Sequence, residues 1–151
     1  MRNRRGWTMI ELLTVLVVLG LLANIAILKY IDLTRTAYAA QVAGEFVTVR
    51  LAAYNYEADH NNQWPADRGP GVVPPELVTY LPNGFTFTRP SYQLDWDNLG
   101  PGGSPYQLAV SLTTTDTRLL SALVQNLGTR APYFVAGNRL TYILIDETGN
   151  Y

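Results

Sequence analysis

Few side chains in this 151-residue chain are placed to do chemistry, and the one that stands out is Glu11, in RRGWTMIELLTVLVVLG. A lone carboxylate inside lipid costs roughly 2–3 kcal/mol on insertion scales, somewhat less away from the centre. Such a group usually has a partner, and the plainer alternative is that Glu11 lies close enough to the surface to reach the headgroups. Asp95 and Asp97, with Asn98, form DWDN ahead of a glycine-rich loop. Oxygen ligands at that spacing suit a hard cation such as calcium, although solvated acids at a strand end are the plainer expectation. His60, the only histidine, stands in EADHNN, most simply as a polar residue at a helix end. Glu57, Asp59 and Asp67 lie nearby without metal-ligand spacing. No nucleophile–base arrangement is visible. The GPGG run at 100–103 lacks the strand-to-helix context and the lysine of a phosphate loop. These residues predict no enzyme, no cofactor and no metal.

Glu11 lies in a long apolar segment. Between Trp7 and Leu28 it is the only charge. As a helix, residues 7–28 would span about 33 Å, enough for a bilayer core of roughly 30 Å. Arg2, Arg4 and Arg5 precede the run and should stay cytoplasmic. A cleavable signal peptide would also explain the basic start. It accounts poorly for Glu11, and LLANIA puts Asn24 or a leucine where a small residue is wanted. The helix does not stop at Leu28. No proline falls between Leu28 and Asn61, and Ile31, Tyr38, Val42, Phe46, Val49, Ala53 and Tyr56 make one apolar stripe. Arg35, Gln41, Glu45, Thr48 and Arg50 fall largely on other faces. A single helix of about sixty residues follows, on the order of 80 Å long. Its second half needs something to pack against.

Residues 61–84 are rich in proline and glycine and predict a loop with a short helix at 75–81, Pro75 in its first turn. Beyond it the pattern turns to strands. Tyr92, Leu94 and Trp96 alternate with polar residues, as do Tyr106, Leu108, Val110 and Leu112. A further short strand is expected at 85–87. Thr115 or Asp116 caps a helix running through Leu127 and closed by Gly128. A hairpin joins 133–135 to 140–145 across Ala136, Gly137 and Asn138. The fold class is therefore α+β: a long N-terminal helix, half transmembrane and half amphipathic, packed on an antiparallel sheet of about four strands.

Composition sets limits. The chain is 48% hydrophobic and 15% charged, with a net charge of −1 and no cysteine. Disulfides and thiolate metal sites are excluded. Beyond Lys29 there is no basic cluster, so no nucleic-acid partner is expected.

From Arg4 to Ala26 the sequence resembles the N-terminus of type IV pilins and type II secretion pseudopilins. The shared features are a basic leader ending in Gly6, an aromatic after it, Glu11 five residues beyond, and Gly20 within the apolar run. The resemblance implies a prepilin peptidase that cuts between Gly6 and Trp7 and N-methylation of Trp7. It also implies an assembly role for Glu11, whose carboxylate pairs with the new amine of a neighbouring subunit. Trp7 replaces the usual phenylalanine, and Leu28 stands where many relatives have a kinking proline. The missing C-terminal cysteines point to a pseudopilin or minor pilin. The implied layout is a leader at 1–6, an assembly helix at 7–29, an amphipathic half at 30–60 and a head at 61–151 that forms one domain with 30–60. The implied partners are the peptidase, other pilin or pseudopilin subunits and an inner-membrane assembly platform. The implied place is the bacterial inner membrane, N-terminus cytoplasmic and head periplasmic, and then a filament. Some secretion pseudopilins bind calcium through acidic loop residues, which makes Asp95 and Asp97 the calcium candidates here. The alternative is a single-pass anchored periplasmic binding domain that does not polymerise.

Overall fold

A computed structural model describes residues 7–129 and 131–150. Its first element is helix α1 (Met9–Asp59), 51 residues without a break. The chain divides into two compact units between Arg35 and Thr36, and α1 contributes to both.

In the first unit every leucine, isoleucine and valine from Ile10 to Leu28 is at least 38% exposed. The polar side chains among them turn back on the helix. Thr14 Oγ1 donates to the Ile10 carbonyl at 2.8 Å, and Asn24 Nδ2 to the Gly20 carbonyl at 2.9 Å. Their hydrogen bonds are therefore made without water, as a lipid setting requires. By length and composition the helix can cross a membrane.

In the second unit α1 has a buried stripe: Ala39, Val42, Phe46, Val49 and Ala53. Spacings of three and four residues put them on one face. The sequence pattern extends this stripe back to Ile31 and Tyr38, but both are exposed, Tyr38 by 46%. Glu45, expected on an outer face, is only 7% exposed. It borders the stripe, and its long-range partners draw it in. The helix ends where Asn61 and Asn62 take positive φ, 53° and 63°, a conformation asparagine tolerates better than most residues.

The loop that follows is tighter than the sequence suggests. Only Pro75–Leu77 form a 3-10 turn of the expected helix. Pro74 and Pro75 lack N–H donors and Pro82 closes the stretch, leaving too few residues for a regular helix. Residues 85–87 are not a strand either. Thr88 makes one isolated bridge to Gln93, and the Phe87 carbonyl accepts from Leu94 N at 2.7 Å. Gly71 N donates to the Leu94 carbonyl at 2.8 Å. This loop thus covers the outer edge of strand β1 (Gln93–Asn98).

The sheet adds β2 (Tyr106–Thr113), β3 (Tyr133–Ala136) and β4 (Arg139–Asp146), all antiparallel in the order β1-β2-β4-β3. Gly137 and Asn138 alone make the β3–β4 turn, Gly137 with φ +62°. Helix α2 (Thr117–Leu127) links β2 to β3. Asp116 caps it by accepting from Arg118 N and Leu119 N, and Gly128 ends it. Register places Leu94 opposite Leu112, Trp96 opposite Val110, Val110 opposite Tyr142 and Leu112 opposite Leu140. That face joins the α1 stripe and α2 leucines 119, 120 and 123 in one core. Phe46 stacks on Tyr142 with ring centroids 5.7 Å apart. Each fully buried large side chain here contributes about 1.5–3 kcal/mol. The fold is α+β, as the sequence predicts.

Candidate functional site

Gly6 lies outside the described residues, and Trp7 is exposed just ahead of α1. Thr8 and Glu11 form a reciprocal pair at the helix start. Thr8 N and Thr8 Oγ1 each donate to Glu11 Oε2 at 2.8 Å, and Glu11 N donates to Thr8 Oγ1 at 3.3 Å. This is a capping box, in which two orphan backbone donors are satisfied by side chains three residues apart. Glu11 thus has a partner within its own chain. Both of the Thr8 bonds fall on Oε2. The signal for Thr8 is present in the sequence as T-x-x-E at positions 8–11, although lone charge singles out Glu11 only.

Asp95 and Asp97 are neither solvated nor arranged around an empty oxygen cage. Both lie on β1, pointing away from α1, and both are buried. Arg139 Nη2, from β4, reaches Asp95 Oδ2 at 2.9 Å and Asp97 Oδ1 at 2.5 Å. Ser111 Oγ donates to Asp97 Oδ2 and lies 3.0 Å from Thr141 Oγ1. The guanidinium holds the place a cation would take. Among the described residues no group of three or more histidine, aspartate or glutamate side chains could hold a metal ion. Two carboxylates against one guanidinium leave surplus negative charge. Burial, followed by the Asp97 charge, pushes the Asp95 carboxyl up to about 6, and its Oδ1 has no hydrogen-bond partner. Burial and Asp97 also push the Tyr106 hydroxyl up to about 12.

A second buried cluster ties α1 to the loop before β1. Glu45 Oε1 accepts from Arg89 Nη2 at 3.0 Å and from Gln41 Nε2 at 3.0 Å, and Oε2 accepts from Tyr92 OH at 2.8 Å. Burial and this carboxylate raise the Tyr92 hydroxyl well above its ordinary range. The role is structural: a paired charge fixes where the helix meets the loop. His60 is exposed at the end of α1, its Nδ1 2.9 Å from the Tyr56 carbonyl oxygen. The structure brings together Asp95 and Asp97, while the ring nitrogen of His60 is engaged with its own helix instead.

No family model matches the chain, and no solved structure matches it. Over 113 residues it is 25% identical to the type II secretion system core protein G of Dickeya chrysanthemi, an alignment covering 71% of this chain and 69% of that protein. At that length the likeness is not confined to the apolar N-terminal stretch, and it is to a component of a secretion machine.

Proposed function

We propose that this chain is a structural subunit of a type II secretion pseudopilus or a closely similar pilus-like filament, held in the inner membrane before assembly. The observation that carries the proposal is the first unit of α1. From Ile10 to Leu28 it is apolar all round, uncovered in the single chain, and carries one charge, the Glu11 carboxylate. Such a helix has to be covered by lipid or by other helices. The similarity to a type II secretion component supports the second cover. In this proposal a prepilin peptidase removes residues 1–6 and Trp7 becomes N-methylated. The arginines remain cytoplasmic, the head is periplasmic, and an inner-membrane platform feeds subunits into the filament. Domain limits at 29/30 and 60/61 belong to the same proposal.

Glu11 then has two jobs. Oε2 closes its own helix through Thr8, and the carboxylate also offers a counter-charge to the Trp7 amine of a neighbour. The substitution Glu11→Gln separates them, because glutamine can complete a capping box but carries no charge. Insertion, processing and head stability should be unchanged. The filament-bound share relative to the membrane pool should fall several-fold, with intact mass confirming loss of residues 1–6 and gain of one methyl group. Undiminished incorporation of a normally processed Glu11→Gln chain would sink the role given to the charge. Failure of the native chain to enter any filament would leave an anchored domain that does not polymerise.

A further inference from the structure

The end of α1 and the proline-rich loop after it enclose an open cleft of about 440 Å³, lined by Tyr56, His60, Pro75, Glu76, Thr79 and Tyr80. Three of the six are aromatic rings, with Tyr56 in contact with the other two. Tyr56 stacks on His60, centroids 4.0 Å apart and planes 13° from parallel, and meets Tyr80 edge to face at 5.9 Å. Ring faces attract cations through their quadrupoles. The charge around these rings is negative. Asp59 accepts the Tyr80 hydroxyl at 2.9 Å, a bond that, with lesser help from burial, raises the Tyr80 pKa. The last turn of α1 contains no basic residue to offset the negative end of the helix. Glu76 lines the cleft with one oxygen paired to Arg68 at 3.2 Å, while its Oε2 is shut off from water without a hydrogen-bond partner. Arg68 is 49% exposed, and an exposed pair of this kind is held weakly.

We infer that this cleft seats the cationic head of an arginine or lysine side chain from a partner polypeptide. The rings of Tyr56, His60 and Tyr80 cover the head and its alkyl stem. Glu76 and Asp59 supply the counter-charge, and Arg68 is an internal competitor for Glu76. The seat requires positive charge and a flat or flexible apolar stem, so a neutral isostere should not occupy it.

The test uses the full chain in neutral detergent, with the ring signals of Tyr56, His60 and Tyr80 followed by NMR. The probe is N-acetyl-arginine N-methylamide, the control its citrulline counterpart, which is closely similar in shape but uncharged. Saturable shifts of all three rings are expected at millimolar arginine probe, with little or none from citrulline. Glu76→Gln should weaken the probe at least several-fold, and Arg68→Gln should strengthen it by removing the competitor. Equal response to arginine and citrulline, or no response, would overturn the proposal. So would an unchanged affinity in both variants. Dilution of the chain without probe identifies the source. Ring signals that move with protein concentration in the direction of the bound position assign the side chain to a second copy, and constant signals assign it to a different protein. No arm depends on filament formation, so this inference can fail while the filament proposal stands, and the reverse.

Discussion

Asp95 is buried to 3% exposure beside a second carboxylate, with one guanidinium between them. Its pKa rises from an ordinary 3.8 to about 6 on folding, chiefly through burial and then through Asp97. The folded protein therefore holds that proton more tightly than the unfolded chain. The stability it gives is full below about 3.8 and is lost as pH climbs through about 6. Asp95→Asn keeps an acceptor for Arg139 and removes the surplus charge. The variant should gain about 1–2 kcal/mol over the native chain at pH 7.5 and lose that advantage at pH 4. Urea midpoints of both proteins at the two pH values decide it, and a difference that does not change with pH would refute the assignment to Asp95. At this scale the sequence discloses residue types better than partners. The T-x-x-E cap is readable because its two ends lie three residues apart. The Arg139 seat is not, because it joins positions 44 and 42 residues apart. Glu45 is hidden in the same way, its partner Arg89 lying 44 residues on.

Helices α1 and α2 and the four strands are legible because apolar periodicity, an Asp116 cap, a Gly128 stop and a Gly137-Asn138 turn all act locally. The 61–92 loop is not, since its short-range turns do not reveal the bonds that tie it to β1, Gly71 N to the Leu94 carbonyl and Leu94 N to the Phe87 carbonyl. Gly71 shows why that loop has one path. Its φ is +77°, and a Cβ there would stand 2.9 Å from Thr88 Oγ1. Gly71→Ala should therefore cost about 1–2 kcal/mol, combining the left-handed backbone with the clash. Gly44, in α1, has nothing within 4 Å of the point where an alanine methyl would stand, so Gly44→Ala should instead gain up to about 1 kcal/mol. Thermal or urea unfolding of the two variants should shift in opposite directions. A harmless Gly71→Ala would mean that the loop covers the β1 edge far more loosely than the two bonds from Gly71 and Phe87 to Leu94 indicate.

The sheet in the second unit owes one side of its core to a helix that precedes it in the chain. Ala39, Val42, Phe46, Val49, Ala52 and Ala53 are all buried in the same cluster as Leu94, Trp96 and Leu112. Residues 36–151 should therefore unfold in a single cooperative transition. Residues 61–151 should show none, exposing the sheet face that Phe46 and its neighbours cover and binding an apolar dye strongly. Equal cooperativity in both would remove α1 from the core. This dependence on α1 is visible in the sequence as a stripe without a partner on one side and a four-strand face on the other. Where the stripe begins is not visible, because Ile31 and Tyr38 fit the same periodicity as the residues that are covered.

The bare first half of α1 also sets a load. Thirteen leucine, isoleucine and valine side chains stand exposed between Ile10 and Leu28. At about 0.3–0.6 kcal/mol each on insertion scales, drawing them out of lipid costs on the order of 4–8 kcal/mol. A copy lifted into water alone would be outnumbered by membrane-held copies by roughly a thousand to one or more. Under the filament proposal, extraction and docking therefore have to be one concerted movement, with neighbouring helices receiving each turn of α1 as the bilayer releases it. Growth is then confined to the membrane-facing end, and any motor acting there works against lipid solvation rather than against the fold of the head.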